Sequence, residues 1–142
     1  MRTASWILLL LVGGLIAFGS LASTGFMYGS GWGQDQIGSM RLDKLAEEYP
    51  DVAIALRARR GTAAAYAAAY ATLLIWIVVG PYRRGERWSW WALLGGTLVF
   101  VVITALRIPL LGTQLGVGVA WVMLAAVVVA LLLDIKRIKA AA

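Results

Sequence analysis

The sequence predicts an all-α fold: a polytopic membrane four-helix bundle, with an amphipathic extramembrane segment between spans one and two. Three observations predict it. Four apolar runs, at residues 5–22, 62–80, 88–106 and 115–133, contain no Asp, Glu, Lys or Arg. Each is long enough, at about 1.5 Å of helical rise per residue, to match a hydrocarbon core about 30 Å thick. Hydrophobic residues make up 61% of the 142-residue chain, above the roughly 45–50% of soluble domains. Lipid offers no partner for backbone N–H and C=O groups, so each run is expected to be a helix. The chain then forms a single integral membrane domain, residues 1–142, with segment 23–61 outside the bilayer.

The first run starts near Trp6 and ends at Ser20-Leu21-Ala22. Arg2, the apolar stretch and the small residues also have the layout of a cleaved signal peptide. The reading adopted is a retained span. Residues 24–33 are rich in glycine and aromatics, including Phe26, Met27, Tyr28 and Trp32. They read as an irregular loop on the membrane surface. Ser39 is the expected cap of a short helix over about 40–49, with Met40, Leu42 and Leu45 as its apolar stripe. Tyr49-Pro50 ends that helix, because the residue before proline avoids the helical region. Asp51 then caps a longer helix that continues from Val52 into span two. Gly80-Pro81 closes span two, and Pro109 follows span three. The 112–118 stretch opens span four, and 134–142 forms a basic tail.

Lys and Arg fix the topology. The chain carries 13 of them against 7 Asp and Glu, a net charge of +6. In a chain this apolar the excess reads as headgroup anchoring and not as a nucleic-acid surface. The turn between spans two and three holds Arg83, Arg84 and Arg87, while the next connection holds only Arg107. Short loops decide best under the positive-inside rule, so both termini and the arginine turn are expected in the cytoplasm. Arg57, Arg59 and Arg60 flank span two on the other side and run against the rule. Trp6, Trp76, Tyr82, Trp88, Trp90 and Trp91 form an aromatic belt around the turn.

The chemistry that can be present is restricted. There is no Cys and no His, which removes thiolate nucleophiles, the usual metal ligands and the commonest general base. No cofactor and no metal site is expected. The concentrated carboxylates, Asp35, Asp43, Glu47, Glu48 and Asp51, all lie outside the spans and are interspersed with cations, as on a solvated face. Small residues are the strongest signal within the spans, because they let helix backbones approach closely. The expected packing positions are Gly13 and Ala17 in span one, Gly61, Ala65 and Ala69 in span two, and Gly112, Gly116 and Ala120 in span four. Tyr66 and Tyr70 share one face of span two.

The stretch Tyr82-Arg83-Arg84-Gly85-Glu86-Arg87-Trp88 resembles the turn of small bacterial four-span membrane proteins of unassigned activity. The resemblance implies a bacterial inner-membrane location.

These readings point first to a non-catalytic accessory or scaffold subunit, or to a self-associating bundle. Its partners would be membrane lipids, further copies or a larger membrane complex. The alternative is a binder of an apolar ligand, such as a lipid, quinone or isoprenoid, held by Tyr66, Tyr70, Arg107, Phe26 and Trp32. A third reading is a lipid-modifying enzyme using the carboxylates of Asp43, Glu47 and Asp51.

Overall fold

The computed structural model describes residues 2–29, 36–37, 40–112, 114 and 116–135. The described chain is overwhelmingly helical. Its elements are α1 (Arg2–Tyr28), a two-residue antiparallel pair β1 (Gln36–Ile37) and β2 (Met40–Arg41), α2 (Leu42–Glu48), α3 (Pro50–Ile77), α4 (Arg87–Ala105), α5 (Arg107–Leu111) and α6 (Val117–Leu133). A π-helical turn, Val78–Tyr82, extends α3. Three helical stretches are long and apolar enough to cross a membrane: Ala4–Gly25, Pro50–Tyr82 and Arg87–Leu110. The fourth apolar helix, α6, is shorter, at 17 residues.

The chain divides into two compact units, residues 1–15 with 72–142, and residues 16–71. In the first, α4 packs along α6. The buried stripe of α4 is Ser89, Leu93, Thr97, Val101 and Thr104, nearly all four residues apart, so one helical face meets the neighbour. From α6 come Val117, Ala120, Val127, Ala130 and Leu131. Thr97 and Thr104 are buried hydroxyls, and each donates to the carbonyl one turn back, Leu93 and Phe100, both at 2.8 Å. Their polarity is thus returned to the helix's own backbone.

The same unit holds the start of α1 against the end of α3. Ser5 meets Tyr82, and eight residues further along Gly13 meets Leu74 and Ile75. The two segments therefore run antiparallel. Gly13 is needed for this approach: a Cβ there would lie 2.8 Å from Ile75 Cγ1 and 3.0 Å from Leu74 Cδ2.

The second unit contains the rest of α1, the β pair, α2 and the first part of α3. Helix α1 does not stop near Ala22; it continues to Tyr28, so the loop expected from residue 24 is helical backbone as far as 28. Ser20 and Thr24 donate to the carbonyls of Ile16 (2.7 Å) and Ser20 (2.8 Å), and Gly29 N–H closes the last turn on Gly25 O at 2.9 Å. Local hydrogen bonding thereby offsets the weak helix propensity of that stretch. Ser39 and Trp32 lie outside the described residues. Arg41 occupies the N-cap position of α2, because residues 40–41 pair as β2. Pro50 is itself the first residue of α3, where its missing N–H costs nothing.

Two adjacent glycines test the close approach in α1. Gly14 has no neighbour within 4 Å of a built Cβ. Gly13→Leu is expected to destabilise the fold by about 1–3 kcal/mol through overpacking, and Gly14→Leu to leave it nearly unchanged. Reversible unfolding of both variants by denaturing detergent measures the difference.

Candidate functional site

The cytoplasmic-type signature of the sequence, arginines set among aromatics, is built on the π turn. Pro81 has no N–H, so the α-helical ladder cannot continue through it. The chain widens by one residue instead, and Glu86 N–H reaches back five residues to Pro81 O at 3.0 Å. Gly80-Pro81 therefore does not close the helix; it changes its register. The result aims Tyr82, 3% exposed, at fully buried Ser5. Ser5 Oγ and Tyr82 Oη share a hydrogen bond of 2.5 Å. Gly85, with φ of +87°, then makes the tight reversal into α4, a conformation glycine adopts without strain.

Around this pair the charges and rings are held in place. The Arg83 guanidinium lies 4.8 Å from the centre of the Trp6 ring, a cation–π contact. Glu86 accepts from Arg84 Nε at 2.9 Å through one carboxylate oxygen and from Trp88 Nε1 at 2.7 Å through the other. Ser89 Oγ donates to Glu86 O, and Trp90 Nε1 to Leu131 O at 3.3 Å. Trp90 and Trp91 meet edge to face, 4.7 Å between centres. The sequence placed these rings in a belt; it gave no sign that Ser5 and Glu86 organise them.

The small residues expected to pack divide among several environments. Gly13 and Gly61 are buried at close contacts, Gly61 beneath the Tyr28 ring, whose Cζ would lie 2.8 Å from a Cβ. Ala120 is buried and Ala17 half-buried. Gly112 and Gly116 lie outside α6 altogether. They take left-handed φ values of +63° and +78° as the C-cap of α5 and the N-cap of α6, so they serve turns and not a helix face. Ala65 and Ala69 are exposed. They belong to an outward row on α3 made of Ala55, Ala58, Thr62, Ala65 and Ala69, all exposed and spaced alternately by three and four. Thr62 Oγ1 donates to Ala58 O at 3.0 Å, leaving the row smooth. The outward faces of α4 and α6 carry large side chains instead, including Leu98, Val99, Val102 and Ile103, and Val119, Trp121 and Val122.

The proposed ligand residues do not share one setting. Tyr66 is 74% exposed, while Tyr70 is half-buried. Arg107 opens α5, and its guanidinium lies 3.7 Å from the position of a Cβ on Gly116. Phe26 is in the last turns of α1. On α2, Asp43 accepts from Arg41 Nη2 at 2.7 Å and from Lys44 N–H at 2.8 Å. The Arg41 hydrogen bond, then that of Lys44, holds the Asp43 carboxyl below its ordinary range. Glu47 and Asp51 are exposed. Among the described residues, no three of His, Cys, Asp and Glu come together as metal ligands. Arg57, which ran against the charge rule, donates from Nη2 to Gly29 O at 2.9 Å. A cation is thus placed at the C-terminal end of α1, where the helix dipole favours it.

Comparison of the chain with protein-family models, with curated proteins and with solved structures gives no match.

Two expectations follow from this geometry. Tyr82→Phe leaves the Ser5 hydroxyl without its partner, costing about 1 kcal/mol, and a double-mutant cycle with Ser5→Ala should return a coupling of similar size. Additive effects would dissociate the two side chains. Separately, the contacts of ionised Asp43 persist above the ordinary aspartate range, about pH 3.9, and are lost as pH falls through its lowered value. An NMR titration of Asp43 should give a midpoint below that of Arg41→Ala.

Proposed function

We propose that this chain is a four-span integral membrane protein with a non-catalytic role, docking through the outward face of α3 onto a transmembrane helix of another subunit or copy. The observation that carries the reading is the row Ala55, Ala58, Thr62, Ala65 and Ala69. Between helices in lipid the driving force is close van der Waals contact, which small residues permit. Against acyl chains, large aliphatic side chains serve equally well, and those are what α4 and α6 present outward. Alternating spacing of three and four keeps a row in line with a partner crossing at about 20° in a left-handed sense.

Both termini and the arginine turn lie on the cytoplasmic side in this reading. The segment of α3 free of charge, Gly61–Tyr82, is about 33 Å long and fits the hydrocarbon core. The preceding Pro50–Arg60 then projects about 16 Å beyond it. As the fourth span, α6 is about 25 Å long, a shortfall that local bilayer thinning accommodates. Carboxylates confined to an exposed, arginine-paired face favour this role over a lipid-modifying enzyme.

Native mass spectrometry of the protein released from nanodiscs tests the docking role. Wild type is expected as a homomeric or heteromeric assembly. Ala65→Ile with Ala69→Ile should dissociate it at least tenfold while circular dichroism stays unchanged. A wild-type monomer retaining one small molecule would instead favour the apolar-ligand reading.

A further inference from the structure

The charge left over in the arginine turn has no counterpart among the contacts around it. Residues 81–87 contain three arginines and one glutamate. Both oxygens of Glu86 are engaged, one by Arg84 and one by the Trp88 indole, so Glu86 offsets Arg84 and no other cation. Arg83 is directed onto the Trp6 ring, a contact that orients the guanidinium and leaves its charge uncompensated. Arg87 is exposed, and among the described residues it has no ion-pair partner. The two nearest exposed large rings, Trp88 and Trp91, stand 54% and 65% open at the start of α4. Indoles of this kind settle at the level of the lipid glycerol and headgroup.

We infer that this turn binds the phosphate of an anionic phospholipid, with Arg83 and Arg87 supplying the charge and Trp88 and Trp91 contacting the glycerol and upper chains. Arginine suits the task because its planar fork can donate two hydrogen bonds to one phosphate and is weakly hydrated for a cation. The stacked Trp6 reduces the freedom Arg83 would otherwise lose on binding. The Glu86 link keeps Trp88 positioned beside the arginines and so joins the charge anchor to the ring anchor. A surface that merely orients the chain would need charge alone. This one also fixes the direction of its side chains, and that predicts preference for one headgroup over another.

The probe is trace spin-labelled phosphatidylglycerol, compared with spin-labelled phosphatidylcholine, in phosphatidylcholine bilayers containing the wild-type protein. Electron paramagnetic resonance reads the fraction of each label held at the protein surface. Phosphatidylglycerol is expected to be favoured about three- to fivefold at low salt, with a smaller preference as salt is raised. Arg87→Gln should cut the preference by half or more, whereas Arg59→Gln, in α3, should leave it unchanged. Arg83→Lys, which keeps the charge and loses the planar stack, should weaken it. Equal association of the two lipids with wild type would overturn the inference without reference to any variant's folding. So would a preference that survives both Arg87→Gln and Arg83→Gln. Displacement of the lipid by inorganic phosphate beyond that by chloride at equal ionic strength would assign the turn to a soluble anion instead.

Discussion

Every buried polar group in this molecule has to find its partner within the protein, because lipid supplies none. That constraint explains the helices, and it also explains the smaller details. Ser20, Thr24, Thr62, Thr97 and Thr104 all donate to a carbonyl one turn earlier. Ser5 and Tyr82 satisfy each other. Trp90 reaches the end of α6 for an acceptor, and Arg57 supplies a donor to the last turn of α1. The polar groups are few, and each is used to tie one helix end to another or to quiet a helix face.

The apolar helices were legible because absence of charge over 18 or more residues has few other meanings. The faces of α3 were not. Between residues 63 and 71 nearly every position is alanine, so no periodicity separates inside from outside. Ala64 and Ala71 are buried while Ala65 and Ala69 face outward, a choice made by the packed neighbours and invisible in the row itself. Gly112 and Gly116 illustrate the same gap. Spacing of four suggested a helix face, yet both have positive φ and end helices, because glycine answers two demands, close approach and left-handed backbone, with the same lack of a side chain.

Residues 24–28 failed for a different reason. Glycine and serine lower helix propensity, but propensity is a weak prior once a helix is already nucleated and its hydroxyls can bond within it. The site residues were partly legible. Arginines and tryptophans announced an interface, whereas the links through Glu86, Ser5 and Trp6 join positions far apart in sequence or depend on a turn geometry that composition does not encode. Arg57 looked like an exception to the charge rule until Gly29 O was seen at its guanidinium.

The π turn at Val78–Tyr82 carries one residue more than an α-helical turn would need. A single deletion there would restore an uninterrupted α ladder up to the proline, and the local hydrogen bonding would look more regular for it. Yet each residue removed turns everything beyond it by about 100°. Tyr82 would swing away from Ser5, and Arg83 away from Trp6. The length of this segment is therefore under tighter constraint than its composition: valines and isoleucines could exchange freely there, while the count of residues could not change by one.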